Sequence, residues 1–371
     1  MGRSSLRKTS RRLSSLLAKR QNNKGHPDAK LPATALKWAA KRGDASLAEQ
    51  AILGGAPIDG PDDKRFRLTP LHFAAMGNHP DVIRILLKYG ATISARDPDQ
   101  KTPLHHAAKC EGGEGATVLL ELGADMKSKD AYGELPAFRA AKSGGIACMQ
   151  AFIAAGFDLR TRGSHGETIL HAAALSTNEM MKYLLGYEEV KMGIHIRDAD
   201  RETPLHCAVD PDNVRLLLDN GADMHARDLW KNTPAHLAAA GNNVACLRVL
   251  IEAGFDLHTK GELEYTVLHE AVYRRRAPSV EYLMREGGGA AIVNARDISG
   301  LTPLAHALEA RCDMRSVIDL LLQNGADLEA KDRSGGRLAD KVGKGRCYES
   351  DKEDDHVSQY TSDSDEPEWE D

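Results

Sequence analysis

Apolar residues recur through most of the chain in pairs of short blocks, and a polar stretch follows each pair. In one clear block, Val82, Ile83 and Leu86 are spaced as they would be on one face of a helix. This block stops at Gly90, in the position where a left-handed turn commonly ends a helix. The pattern therefore predicts pairs of short amphipathic helices separated by polar turns.

The same four residues open the first helix of many pairs. The string Thr69-Pro70-Leu71-His72 recurs from Thr102 and Thr203, and near-copies begin at positions 168, 233, 266 and 302. Degenerate copies begin at positions 34 and 135, so that successive steps are 35, 33, 33, 33, 35, 30, 33 and 36 residues. Threonine is a good N-cap, and proline loses no hydrogen bond at the first helical position. Each copy therefore predicts the start of a helix.

This period and this string resemble the ankyrin-repeat family, whose unit has about 33 residues and the signature T-P-L-H-x-A. The resemblance implies an all-α repeat solenoid, an ankyrin array of about nine to ten helix-turn-helix units joined by β-hairpin loops. One helix pair cannot bury its own apolar face, so neighbouring units must stack. We expect the array to cover residues 31–343, with a terminal half-repeat at residues 332–342.

Two stretches depart from the repeat pattern. The second helix after Thr168 is predicted to continue through Gly186 to Met192, and the following unit is three residues short around Asp210. Two interpretations remain open: drift tolerated in a surface loop, or a bend that shapes the groove for one partner. Several loop positions that favour glycine hold larger residues, which predicts local strain or a different turn. They are Gln100, Arg201 and Lys231.

Charge is concentrated at the two ends of the chain. Residues 1–30 hold nine lysines and arginines against the single acid Asp28, whereas residues 349–371 hold eleven acids against Lys352. We predict a disordered basic arm at 1–30 and a disordered acidic tail at 344–371. The arm also fits a nuclear-import signal or a mitochondrial presequence. The nearly neutral body gives no reason to expect a nucleic-acid partner.

The cysteines and the hydropathy pattern bear on location. Six cysteines stand singly, without C-x-x-C spacing, as is typical of a reducing compartment. No apolar run approaches the length of a membrane span. We expect an intracellular monomer in the cytoplasm, the nucleus or both, with mitochondrial targeting by the basic arm as an open alternative.

The chain has fifteen histidines but no constellation typical of an enzyme. Six of them occupy the fourth motif position, one per repeat, where they cannot converge on one metal ion. There an imidazole can bond the motif threonine and the backbone of the adjacent unit. No phosphate-binding loop or nucleophile motif appears. The sequence therefore predicts no catalytic residue, no metal site and no cofactor.

The ankyrin resemblance implies that a protein partner contacts the loop tips and the exposed side of the first helices. Exposed aromatic residues and arginines are common anchors of such interfaces. The predicted function is an adaptor or scaffold that binds a protein in a concave groove. A stoichiometric inhibitor or sequestering subunit is the alternative, and an enzyme or small-molecule receptor has the least support. The candidate partner-binding residues are Tyr132, Lys142, His165, Trp230, Tyr265 and Arg274.

Overall fold

The computed structural model describes residues 33–61, 66–310, 314–331 and 333–342. The predicted tails, 1–30 and 344–371, lie outside the described residues. Within these ranges helices follow one another in pairs. Each pair is a repeat with a first and a second helix, and the repeats are numbered 1 to 9 in the order of their second helices. The second helices are Ala45–Leu53, Pro80–Lys88, Glu114–Glu121, Ile146–Ala154, Asn178–Leu185, Pro211–Asp219, Val244–Glu252, Ala277–Arg285 and Arg315–Gln323.

The first helices are shorter, and repeat 6 has a turn at residues 204–207 in place of one. They are Ala33–Arg42, Pro70–Met76, Pro103–Ala107, Pro136–Ser143, Ile169–Ala174, Pro234–Ala240, Val267–Tyr273 and Pro303–Glu309. Short helices at Glu188–Lys191 and Ala339–Val342 follow repeats 5 and 9, and 3₁₀ turns lie at Glu262–Glu264 and Gly289–Ile292.

Stacking between consecutive repeats produces one continuous core. First helices pack on neighbouring first helices in repeats 1 to 5 and again in repeats 7 to 9, and second helices pack on neighbouring second helices in repeats 1 to 4 and in repeats 5 to 9. The motif alanines Ala74 and Ala75 are fully buried, which lets the helices approach closely. Among the described residues, Phe138 and Phe152 of repeat 4 are the largest fully buried side chains, and burying a phenylalanine contributes about 1.5–3 kcal/mol. The all-α repeat solenoid predicted from the sequence is confirmed.

The motif histidines link each repeat to the next. In repeat 7 the His236 Nδ1 lies 2.8 Å from the Thr233 hydroxyl and accepts the Thr233 backbone N–H, while Nε2 lies 3.0 Å from the Tyr265 carbonyl oxygen. This pattern fits a neutral ring that carries its proton on Nε2. The equivalent inter-repeat contacts are made by His72, His105, His171, His206 and His269. The structural role predicted for these histidines is confirmed.

The links between repeats are tight turns. Asp97 N–H donates to the Lys101 carbonyl at 3.1 Å, and Gln100 N–H donates to the Asp97 carbonyl at 2.9 Å. The described residues contain no β-strand, and their isolated bridge pairs Lys331 with Arg337. In the described part of the chain, the predicted hairpin loops therefore form as tight turns without a strand ladder.

The irregular region between repeats 5 and 6 differs from the prediction. The second helix of repeat 5 ends at Leu185 instead of continuing to Met192. In repeat 6, Asp210 caps the second helix by accepting the Asp212 N–H at 2.7 Å, which turns the chain into that helix early. The fully buried Asn213 then donates through Nδ2 to the Ser176 carbonyl at 2.8 Å. A side-chain hydrogen bond therefore joins the shortened repeat to its neighbour.

The predicted strain at loop positions that favour glycine is present. Gln100, Arg201 and Lys231 have φ of 60°, 61° and 70°, whereas Gly300 occupies the same turn position with φ of 76°. A residue with a side chain is strained by roughly 1–2 kcal/mol in this left-handed region. Glycine avoids that strain, but it loses more conformational entropy on folding, so its net advantage is smaller.

Replacing Gln100 by glycine should stabilise the array, because the left-handed turn no longer carries a Cβ atom. We expect Gln100→Gly to raise the free energy of unfolding by roughly 0.5–1 kcal/mol, measured by urea denaturation. The matched control is Gly300→Ala, where the added methyl group meets no atom within 4 Å and should destabilise by about 1 kcal/mol through backbone strain alone. A lower stability for Gln100→Gly would contradict the assignment of strain.

Candidate partner-binding surface

An aspartate side chain fixes the shape of several loop tips. Asp130 Oδ1 accepts the backbone N–H groups of Tyr132 and Glu134, both at 2.9 Å. Asp228 Oδ1 accepts those of Trp230 at 2.9 Å and Asn232 at 2.7 Å. Such aspartate turns hold the backbone, so the residue in the middle of the tip is presented in a fixed position. Tyr132 and Trp230 are 69% and 46% exposed there.

Three candidate residues lie close together on repeats 4 and 5. Lys142 Nζ is 2.7 Å from Glu134, which belongs to the same tip as Tyr132. The next tip is joined to this one because Ser164 Oγ donates to the Gly133 carbonyl at 2.7 Å. His165 follows Ser164 and is exposed. Tyr132, Lys142 and His165 thus form one patch, which we call the repeat 4–5 patch.

Two further candidates, Trp230 and Arg274, lie on repeats 7 and 8. The Arg274 side chain is about half exposed, and its Nε is 3.6 Å from a Glu270 carboxylate oxygen. Its guanidinium carbon lies 5.8 Å from the centre of the Tyr273 ring. The six candidates therefore do not form one site, since the two groups stand on different repeats.

Tyr265 does not belong to the exposed surface, so the sequence-based expectation for it is wrong. It is only 4% exposed. Its ring centre lies 5.5 Å from that of His269, 5.6 Å from that of Tyr273 and 5.2 Å from that of His306. Burial is the main reason that the pKa of Tyr265 rises to about 12. This tyrosine packs repeat 8 against repeat 9.

The six candidate residues do not include an apolar row on the later tips. Leu263 is half exposed, and Ile298 on the next tip is 66% exposed. The two tips are adjacent, because the Ile298 N–H donates to the Leu263 carbonyl at 2.9 Å. A positional signal was available for Ile298, which follows Asp297 as Leu229 follows Asp228. The surface near Trp230 is therefore more apolar than the candidate set implied.

An open depression of about 830 Å³ lies at the earlier end of the array. Met76, His106 and Lys109 of the first-helix layer contribute to its lining, together with Pro98 at a tip. Its lining mixes apolar, basic and acidic side chains. Such a surface suits contact with a polypeptide better than enclosure of a small ligand, which needs a more closed site.

The buried thiols are poorly suited to nucleophilic chemistry. Burial is the main cause that raises the pKa of Cys148 to about 12 and that of Cys246 to about 11, so neither is a thiolate at neutral pH. Among the described residues no group of three or more histidine, cysteine, aspartate or glutamate side chains is arranged to hold a metal ion.

A family model described as ankyrin repeats (3 copies) matches residues 36–130, 137–228, 210–297 and 235–332. These matches cover well over half of the chain. The chain belongs to the ankyrin-repeat family. As an ankyrin array it is a protein-interaction module, which is the general function that the sequence predicted.

Two curated ankyrin relatives match part of this array. The mouse B-cell lymphoma 3 protein homolog is 33% identical over 179 residues, which are 45% of this chain and 39% of the mouse protein. The human B-cell lymphoma 3 protein is 35% identical over 117 residues, which are 29% of this chain and 25% of the human protein. The match to this ankyrin chain thus spans well under half the length of either relative. In the part of the chain that the structure describes, no helix is long and apolar enough to cross a bilayer.

Proposed function

We propose that this ankyrin array is an adaptor or scaffold that binds a partner protein across its loop tips and first helices. The observation that carries the proposal is the exposed Trp230, which stands on a tip where the backbone N–H groups of Trp230 and Asn232 both donate to the Asp228 carboxylate. Tryptophan is enriched among the residues that dominate binding energy at protein interfaces. The proposal includes two contact regions on this side of the array, the repeat 4–5 patch and the region of Trp230 and Arg274.

Several finer features belong to the same proposal. We propose that the chain acts as a monomer inside the cell, by binding and not by catalysis. Four cysteines in the described part of the chain are free thiols, which supports a reducing compartment. Multi-angle light scattering of the full chain should return the mass of one copy. A stable dimer would contradict the monomer proposal without affecting the binding surface.

Replacing Trp230 by alanine should weaken partner binding without destabilising the fold. We expect the affinity for a partner recovered by affinity capture to fall at least about 30-fold, the effect of losing a typical 2 kcal/mol interface anchor. The control is Leu122→Ala, because Leu122 has the same exposed fraction but ends the second helix of repeat 3. Isothermal titration calorimetry gives the affinity, and thermal unfolding checks the fold. Unchanged binding by Trp230→Ala would contradict the proposal.

A further inference from the structure

Six carboxylates gather where the tips and first-helix positions of repeats 6 to 8 meet. The pKa of Glu202 rises to about 7, mainly through burial and then through the charges of Asp198, Asp228 and Asp200. Burial also raises the pKa of Glu270, and neighbouring carboxylates add to the effect. The tips that carry these groups are joined, because the Leu229 N–H donates to the Asp200 carbonyl at 2.7 Å and the Glu262 N–H donates to Asn232 Oδ1 at 3.0 Å. We call the six carboxylates the acidic cluster: Asp198, Asp200, Glu202, Asp228, Glu262 and Glu270.

One member of the acidic cluster, Asp228, differs from the equivalent aspartates of two other repeats. In those repeats a histidine side chain contacts the second carboxylate oxygen. In repeat 3, His106 Nε2 is 2.8 Å from Asp97 Oδ2, and in repeat 9, His306 makes the same contact with Asp297 at 2.9 Å. Repeat 7 has Leu237 at that histidine position. Asp228 is only 2% exposed, and its Oδ2 accepts no hydrogen bond from the described residues.

Asp228 belongs to the middle one of three joined tips, between the tips that carry Asp200 and Glu262. Its charge raises the pKa of both Glu202 and Glu270, which lie on the repeats to either side. In repeat 7, where leucine stands at the histidine position, the buried Asp228 carboxylate therefore has no cationic partner of the kind found in repeats 3 and 9. A buried charge of this kind favours a cation nearby.

Nearby arginines leave much of this negative charge without a direct partner. Arg197 Nη1 donates to the Arg227 carbonyl at 2.6 Å, and Arg227 Nη1 donates to the Lys260 carbonyl at 2.6 Å. Both guanidinium groups thus bind the backbone of neighbouring loops. Arg274 pairs with Glu270 at 3.6 Å, which is an ion pair at the edge of the cluster.

Solvent-accessible carboxylates and apolar side chains lie next to the buried carboxylates of the acidic cluster. Asp200 is exposed, while Glu202 and Glu262 are partly exposed. Trp230 stands on the tip of Asp228 and Leu263 on the tip of Glu262, and both are about half exposed. A tryptophan ring is the aromatic surface that cations prefer. The region thus presents negative charge and apolar surface side by side.

We propose that the acidic cluster receives a segment of the partner protein that carries arginine or lysine beside an apolar side chain. This inference rests on the proposed function and adds the chemistry of the partner. The cationic group pairs with Asp200, Glu202 and Glu262, while the apolar side chain contacts Trp230 and Leu263. Asp228 and Glu270 strengthen the negative potential from below.

A phage-displayed library of random 12-residue peptides, selected on the full chain, tests this chemistry without a known partner. We expect enriched peptides to carry a net positive charge with at least one large apolar residue. The charge-neutral variant Asp200→Asn/Glu202→Gln/Glu262→Gln should bind the best peptide at least tenfold more weakly. Raising the salt concentration should weaken binding to the wild-type chain, since screening reduces attraction between exposed charges.

A matched variant separates a local effect from a change in net charge. Asp81→Asn/Asp219→Asn/Glu252→Gln removes three exposed carboxylates from second helices and should leave the affinity unchanged. Equal weakening by the two triple variants would overturn the local site. Enriched peptides without positive charge, or an absence of enriched peptides, would overturn it as well.

Other results distinguish this inference from the proposed function. Peptides that depend on Tyr132 but not on the acidic cluster would overturn the inference and leave the proposed function standing. Peptides insensitive to variants of both regions would contradict both. Charge reversal by Arg11→Glu/Arg12→Glu should not change peptide affinity. Tighter binding by that variant would assign the cluster to the basic N-terminal segment of this chain and overturn a separate partner as its occupant.

Discussion

Lowering the pH from 7 to 5 should remove several kcal/mol from the free energy of unfolding. The pKa values of His72, His206, His236 and His269 are lowered to about 4, mainly by burial, from an ordinary value of 6.5. Because the folded pKa lies below the unfolded one, the unfolded state takes up protons first. The stabilising effect is complete above about pH 6.5 and is lost progressively down to about pH 4.

The size of this pH effect follows from the shifts. Each of the four histidines contributes a loss of a little under about 2 kcal/mol between pH 7 and pH 5, which gives on the order of 7–8 kcal/mol together. Glu202 acts in the opposite direction, since its folded pKa of about 7 lies above its ordinary 4.5. Its partial exposure limits this compensation to on the order of 1 kcal/mol. The urea midpoint should therefore fall steeply as the solution is acidified.

Removing one motif histidine isolates its share of the pH dependence. We expect His236→Gln to reduce the loss of stability between pH 7 and pH 5 by about 2 kcal/mol, because glutamine does not titrate. Leu122→Ala serves as the control and should leave the pH dependence as it is in the wild-type chain. A urea midpoint that stays constant from pH 7 to pH 5 would contradict the neutral, buried state of these histidines.

Truncating Phe152 should cost about 3–5 kcal/mol of stability, the range for a buried phenylalanine replaced by alanine. Phe152 is fully buried in the second helix of repeat 4 and meets Phe157 edge to face, with the ring centres 6.3 Å apart. Repeats contact only their neighbours, so a weak central repeat uncouples those on either side. Phe152→Ala should therefore broaden urea unfolding or split it into two steps, followed by circular dichroism.

The control for Phe152→Ala lies in the same repeat. Tyr132→Ala removes a large side chain from an exposed tip and should change the free energy of unfolding by less than about 0.5 kcal/mol. If the two variants were equally stable, Phe152 would not belong to a shared core. If Phe152→Ala unfolded in one sharp transition at a lower midpoint, the burial would stand but the coupling through nearest neighbours would not.

Most of the fold could be predicted because the local sequence of each repeat determines where its helices begin and end. The threonine, proline and glycine positions fix the helix ends, and the motif histidine predicts the link to the next repeat. The irregular region could not be predicted in the same way. The second helix of repeat 5 ends before Gly186, and repeat 6 has a turn in place of a first helix, directly before the second helix that Asp210 caps. These outcomes depend on the chain around the shortened repeat and not on the repeat pattern.

The candidate surface was less predictable than the fold, because exposure depends on neighbouring repeats. The exposure of Tyr132 and Trp230 could be predicted from their positions on the loop tips, since the tip geometry is set by an aspartate in the same turn. Tyr265 was misassigned because its ring packs on His306, which belongs to the following repeat. Asp228 Oδ2 accepts no hydrogen bond from the described residues, and repeat 7 has Leu237 where repeats 3 and 9 have the histidines that pair with the equivalent aspartates.

Amine cross-linking of the full chain, read by mass spectrometry, tests the stacked array most directly. Lys231 and Lys260 lie on successive loops, joined where Arg227 donates to the Lys260 carbonyl, and should be linked by a short reagent. Lys88 ends the second helix of repeat 2, whereas Lys331 follows repeat 9. With roughly 8–10 Å between stacked helices, seven repeats separate these two lysines by about 60 Å. The array predicts no Lys88–Lys331 link within one chain, and finding that link would contradict it.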